Sequence, residues 1–527
     1  MKPTDTPNRN EQGSSNFGPA TPFPQLGGLS RRQFLHAGAT VGFGVAAFGL
    51  AAQSTTSAAM AGEEAVAPDM RLGARELVVQ PVLMYGIPQR QPGRSWRPWT
   101  GLQSEEAVNK EVERIGQELK ELSQAADFPV RILPVAKVTK APEAAALKDV
   151  RFDALLLYAA GAWLDEINAL ASLSKWIIIF VRYRSGPYYY WHEGVHDRFL
   201  RAHTDQFKHP AVGVEDVVVD DNDEIRWRLQ ALYGLKNVLG RRIVCVGGPS
   251  GWECPKAPAL ARERFQLDLV TVPIPEVNGM VEAGRKDEKL MARCQQEAKA
   301  YLSARGVKLV TTERAVTEAF LLKKLYGDLM ARSEAVAIAS TGCMNSYAGI
   351  MPCLTHTLIN DDGRMAYCEG DFVNIPCGIL LHYISGKPTY FCNPTMPAKG
   401  RMLFAHCTAP RRMDGKTLDP VEIVTHYESD HGAATHVLFR KGQLLTILKP
   451  DFEARHWLAL TGTIVDTPFL DTCRAQVEVA LDADTQDVAR NLRGFHCMLA
   501  YGDYVREVVY AAGKVGIKVQ TLPKAQA

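Results

Sequence analysis

Ala154 to Glu193 reads ALLLYAAGAWLDEINALASLSKWIIIFVRYRSGPYYYWHE, and its texture decides the fold. Two continuous apolar runs, Ala154 to Tyr158 and Trp176 to Val181, stand at its start and middle. Strands buried on both faces have this composition, and a parallel sheet covered by helices is what buries them so. Glu76 to Met84 and Val130 to Val135 supply two earlier runs, and helices or loops separate all four. Ser104 can cap a helix that reaches about Ala126, with Glu105 and Glu106 in its first turn where negative charge meets the helix dipole. Strands alternating with helices predict a parallel, doubly wound sheet.

The pattern repeats further on. Asp223 can cap a helix to about Leu239, and Gly240 to Gly251 reads as a new strand and a glycine turn. The turn lacks the G-x-G-x-x-G spacing of a dinucleotide site. Leu267 to Val272 is another strand. Helical patterns at Lys286 to Ala304 and Glu313 to Ala331 bracket Lys308 to Thr311, which predicts that the alternation continues; Glu276, after a strand, could face the cleft. From Ala335 short strand-like runs take over, at Thr446 to Leu448, Gly462 to Val465 and Ala475 to Val479. Residues 492 to 503 read as a strand returning to the core, followed by a helix from Tyr504 to Gly513. The expected fold class is α/β: two doubly wound α/β domains, residues 72–240 and 241–340, then a mixed α+β C-terminal domain, 341–520, with a substantial β part.

The formal net charge of +2 and the absence of a long basic run exclude nucleic acid as the expected partner. Residues 1–61 predict a disordered tail and a twin-arginine signal peptide. Arg31-Arg32 precede a short, Gly-rich apolar stretch, and Ala59-Met60-Ala61 forms a small-residue cleavage site. The stretch is shorter than the roughly 20 residues of a spanning helix. The expected location is therefore the periplasm, reached through the twin-arginine export machinery. The 11 cysteines include no C-x-x-C pair and have apolar flanks, which points to buried free thiols.

Met365 to His436 concentrates hard ligands: Glu369, Asp371, His382, His406, His426, Glu428, Asp430, His431 and His436. Carboxylates and imidazoles at the ends of apolar segments suit a divalent metal on a rigid scaffold. Two loops offer substrate contacts. One carries Trp96 and Trp99. The other, after the strand ending at Val181, carries Arg182, Tyr188, Trp191 and His192. Its aromatics could stack on a sugar while Arg182 and His192 bond hydroxyls, or they could form a packed loop or a subunit contact. His426 and His431 are further substrate-binding candidates.

Cys368-Glu369-Gly370-Asp371, Phe404-Ala405-His406-Cys407, and Gly494-Phe495-His496 followed by Tyr501-Gly502-Asp503 resemble, in order and spacing, the motifs of the L-fucose/L-arabinose isomerase superfamily. That resemblance implies aldose–ketose interconversion through an enediol, in a homo-oligomer whose adjacent chains share active sites. It implies a Mn²⁺-type ion on Asp371 and His496, with Glu369 and His406 nearby. Neighbouring Cys368, Cys407 and Cys497 keep zinc in competition. The sequence departs from the family in two ways. Ser340 to Asn345 holds no acidic residue where catalytic members carry a glutamate. Either Glu428 replaces it as acid/base, with Asp371 as the other catalytic group, or the site does other chemistry, or it only binds. Export is the second departure, because the superfamily's isomerases are cytoplasmic. An exported sugar-binding protein and a metal-dependent hydrolase or lyase are the competing functions.

Overall fold

The computed structural model describes residues 67–89, 91–93, 100–201, 209 and 212–524. The signal segment, Trp96 and Trp99 lie outside the described residues. Six strands build the first sheet: β1 (Leu77–Met84), β2 (Val130–Ile132), β3 (Ala136–Val138), β4 (Ala154–Ala159), β5 (Trp176–Val181) and β6 (Val217–Val219). All pairings are parallel, in the order β2-β1-β4-β5-β6, with β3 also on β1. β1 and β4 are buried along their whole length, as their mostly apolar sequence requires, and Gln80 of β1 is buried with its amide donating to Pro81 O and Pro134 O. Helix Glu105–Ala125 starts on Ser104, whose hydroxyl accepts the Ala107 N–H at 3.2 Å. Helix Asn222–Val238 is capped by Asp221, not Asp223: the Asp221 carboxylate accepts the N–H groups of Asp223 and Glu224. Several capping side chains stand in a row there, and the one with extended backbone next to the first turn takes the role.

The next strands in the chain are β7 (Arg242–Val246), β8 (Asp268–Val272), β9 (Val307–Leu309), β10 (Ala337–Ser340) and β11 (Met365–Tyr367). Four of them form a second parallel sheet in the order β11-β10-β7-β8. β9 does not join it, so the alternation does not continue there as the sequence suggested. Its three residues are partly exposed, too polar for a sheet buried on both faces.

The remaining strands are β12 (Tyr390–Pro394), β13 (Arg401–His406), β14 (Val421–Val424), β15 (Ala434–Val437), β16 (Leu444–Pro450), β17 (His456–Asp466), β18 (Ala475–Leu481), β19 (Cys497–Tyr501) and β20 (Lys518–Thr521). β9 pairs with β14 in a small sheet β15-β14-β9. The order β16-β19-β12-β13-β18-β17 closes on itself through the β16–β17 pairing, giving an antiparallel barrel with β20 appended to β17. Closure removes the unpaired edges that an open antiparallel sheet would expose. Phe404, Ile447, Leu458, Val477 and Leu499 belong to its apolar core. The chain is thus α/β, with parallel-sheet domains followed by a region that contains a β-barrel. The apolar run Ile379 to Ile384 forms part of a wholly buried helix, Ile375–Ser385. That helix lies so close to helix Asn222–Val238 that a Cβ at Gly234 would overlap Ile384. Among the described residues no helix is long and apolar enough to cross a membrane.

Candidate metal centre

In the second sheet, β7 and β10 lie at the point where strand order reverses, so their carboxyl ends open a crevice. Three turns line it. After β7, Gly247 and Gly248 adopt positive φ, and the chain reaches Ser250. Ser250 exchanges backbone hydrogen bonds with the turn after β11: its N–H donates to Gly370 O, and its carbonyl accepts from Phe372 N–H, each at 2.9 Å. After β10 comes Cys343. After β11 come Cys368, Glu369, Gly370 and Asp371, with Glu369 at φ 63° and Gly370 at φ 56°. A glutamate in the left-handed region is strained, and such strain concentrates at functional sites. Its effect here is to aim two carboxylates, two positions apart, at one imidazole.

That imidazole belongs to His496, which stands just before β19; His406 ends β13. Both strands flank β12, so the barrel presents both rings at one end, 6.2 Å apart between centroids, with Phe391 against each. Asp371 is fully engaged. Its Oδ1 accepts the Val373 N–H at 3.0 Å, and its Oδ2 lies 2.8 Å from both Asn374 Nδ2 and His496 Nδ1. With Nδ1 bonded to Asp371, His496 turns Nε2 toward Glu369 Oε2 at 3.2 Å. Neither of those two buried atoms makes a hydrogen bond. Glu369 Oε1 lies 3.4 Å from His406 Nε2, whose ring pairs through Nδ1 with Thr408 Oγ1 at 3.0 Å. The Cys368 thiol joins Glu369 and His406, with donor atoms all within 4.8 Å of one another. Burial pushes the Glu369 carboxyl up, but His406 and His496 outweigh it and hold the group well below the usual carboxylate range. Burial likewise pushes His496 down, and Asp371 and Glu369 together raise it.

These donors fit a divalent ion. Bare Nε2 and carboxylate lone pairs meet in buried space, and the far nitrogen of each histidine is held by a carboxylate or a hydroxyl, as ligating histidines are held. The structure brings together all four expected ligands but divides their roles. Glu369, His406 and His496 offer donor atoms. Asp371, expected as a ligand, has its oxygens committed to orienting His496 and the turn.

A second group adjoins. Cys343, His426 and Glu428 also place donor atoms within 4.8 Å of one another. His426 is buried, and half-exposed Glu428 lies 3.9 Å from it. Cys343 lies in the turn after β10, within Ser340 to Asn345, which holds no acidic residue.

Other candidates lie elsewhere. Arg182 is buried on Glu111 at 2.7 Å and Glu118 at 2.5 Å, and Trp191 is buried with Nε1–H donating to Gly161 O at 3.1 Å. Both serve the first sheet's core, not a ligand crevice. The cause is local: helix Glu105–Ala125 brings two carboxylates against the end of β5. His192 stacks on Tyr183 with 4.5 Å between ring centroids, and Tyr188 meets it edge-on. His431 is exposed and contributes its carbonyl, which accepts the His426 N–H at 2.9 Å. His382 is a core residue, pushed down to about 4 chiefly by burial. His436 pairs with Glu422 at 3.2 Å, and Glu276 pairs with Arg332, so it does not face the cleft. Sequence reasoning missed Trp252 and Phe495, a partly exposed stack 4.7 Å apart whose rings both meet His496 edge-on. A tryptophan just beyond a glycine turn at a strand's carboxyl end was the available signal.

Compared with known proteins, the chain matches no family model and no curated protein.

Proposed function

We propose that the protein is an exported, metal-dependent sugar isomerase-like enzyme that interconverts an aldose and a ketose through an enediol. The observation that carries this reading is the pair of bare buried atoms, His496 Nε2 and Glu369 Oε2, beside His406 Nε2. Glu369, His406 and His496 would hold the ion, with Asp371 and Thr408 orienting the two rings. Carboxylate and imidazole donors favour Mn²⁺, and the adjacent Cys368 thiol makes Zn²⁺ the competitor. When bound, such an ion supplies Lewis-acid polarisation of a carbonyl and a template for the neighbouring hydroxyl. Trp252 and Phe495 offer the sugar a flat apolar face. Glu428, half-exposed at the edge of the cluster, takes the proton from one carbon and returns it to the next.

Metal analysis of the purified mature protein, followed by a panel of sugars with product detection, tests the reading. Glu428→Gln should keep the metal and lower kcat by about 10²–10⁴-fold, the usual worth of a positioned acid/base. Sugar binding by metal-free protein, with no product from any sugar, would favour the binding-protein alternative instead.

Export is proposed on Arg31-Arg32 and the Ala59-Met60-Ala61 site. Changing both arginines to lysine should leave precursor in the cytoplasm; unchanged periplasmic accumulation would refute it. A homo-oligomer is proposed as the working form, with Tyr188 and His192 available to a neighbouring chain's cleft.

A further inference from the structure

The group beside the proposed metal centre differs from it in one respect that decides its chemistry. The Ser429 N–H donates to His426 Nδ1 at 3.3 Å, and Ser429 Oγ lies 2.9 Å from the same nitrogen. Nδ1 is thus an acceptor, so the ring proton sits on Nε2, 3.3 Å from Cys343 Sγ. His496 presents a bare lone pair at its Nε2; His426 presents an N–H. The latter suits a thiolate and not a cation. The Cys368 thiol lies against the same sulfur, close enough for the two groups to interact. The strands beneath explain the meeting: β10 and β11 run parallel in register, Ala339 beside Tyr367, so their following turns emerge side by side.

We propose that Cys343, Cys368 and His426 form a dithiol centre that reduces hydroperoxides, with Cys343 attacking and Cys368 resolving. Cys343 is partly exposed, whereas Cys368 is buried. A small electrophile therefore meets Cys343 first. Cys343 Sγ, 3.3 Å from His426 Nε2, is the more accessible of the two sulfurs, which sets it as the attacking thiol and Cys368 as the resolving one.

In the first step the Cys343 thiolate attacks the peroxide oxygen. An S–O bond forms, the O–O bond breaks, and the departing oxygen leaves as an alcohol with a proton from water. In the second step Cys368 attacks the Cys343 sulfenic acid. The S–S bond forms, the S–O bond breaks, and the hydroxyl leaves as water with the Cys368 proton. One hydroperoxide and two thiols become an alcohol, a water and a disulfide. The centre adjoins the proposed metal centre, since the Cys368 thiol also stands with Glu369 and His406, but its chemistry needs no metal ion and no sugar.

The test treats the reduced full-length mature protein with one equivalent of hydrogen peroxide, then maps disulfides by mass spectrometry without reduction. The expected product is a single Cys343–Cys368 link, reversed by dithiothreitol. Cys368→Ser should stop at a Cys343 sulfenic acid that dimedone traps, and His426→Asn should slow the peroxide reaction several-fold while circular dichroism stays unchanged. Cys254 and Cys473, the other thiols that are not fully buried, serve as internal controls. Reaction at either of them ahead of Cys343, or a Cys343 sulfinic acid with no disulfide in the unsubstituted protein, overturns the proposal. Reactivity that emerges only after EDTA also overturns it, because Cys343 would then be a metal ligand.

Discussion

His496→Ala is expected to abolish stoichiometric divalent-metal binding and every activity that depends on it. His496 Nε2 and Glu369 Oε2 are buried at the centre without a hydrogen bond, so removing the imidazole takes away one of the few donor atoms that face the ion's place. Glu369→Gln should have the same result, since an amide is a poor ligand and cannot balance the ion's charge. Asp371→Asn should behave differently. It disturbs the hydrogen bond at His496 Nδ1 and leaves Nε2 in place, so affinity should fall by about 10–100-fold without vanishing, as for other outer partners of ligating histidines. Inductively coupled plasma mass spectrometry after equilibrium dialysis reads all three, and melting curves verify that each variant is folded. Unchanged metal content in His496→Ala would remove the basis of the proposed function. Protons compete for the same nitrogen. Asp371 and Glu369 raise the His496 imidazole above its ordinary range, so affinity should weaken as pH falls and begin to do so at a higher pH than for an ordinary histidine.

Arg182→Met should destabilise the protein by up to about 3–5 kcal/mol, the cost of taking a buried carboxylate's buried partner away, with Arg114, 3.1 Å from Glu111 Oε2, offsetting part of the loss. The guanidinium is enclosed, with Nε donating to Glu111 Oε1 at 2.7 Å and one terminal nitrogen to Glu118 Oε2 at 2.5 Å. The Glu111 side chain is as inaccessible as that of Arg182, and Tyr189 also bonds it. Burial opposes the Arg182 charge, yet these partners raise its pKa well above the usual range. Changing Glu111 to Gln in the same chain should recover part of the loss, since the stranded charge would be gone. Chemical denaturation of the single and double variants measures both effects. A stable Arg182→Met protein with a raised KM for sugar would return Arg182 to the substrate site.

Composition and periodicity determined the parts of this protein that depend on local burial. Runs such as Ala154 to Tyr158 have no polar face, so they must lie in a covered parallel sheet, and the α/β class follows. Ser104 announced a helix because a hydroxyl before a first turn has an N–H to accept. The short runs after Ala335 announced β structure, and the barrel closes from them. The limit of this reasoning shows at Val307 to Leu309, which sits between helices as the sheet strands do but pairs across to Val421 to Val424; local pattern carries no information about a partner so far along the chain.

The site was legible as an inventory and not as an arrangement. Glu369, Asp371 and His406 stood out by residue type and His496 only through the motif resemblance, yet only the tertiary structure decided what each does. Asp371 and His496 are 125 positions apart and meet because the barrel end docks on the second sheet. Roles there depend on which lone pairs remain after the hydrogen bonds are made, and spacing does not encode that. Arg182 looked the same in sequence whether it faced a sugar or Glu111. Cys343 carried no signal of its own in the sequence, and only the fold sets His426 Nε2 3.3 Å from its sulfur. Burial follows from the residues that a chain carries, but chemistry at a site follows from the orientation of donors and acceptors drawn from distant segments, and folding alone sets that orientation.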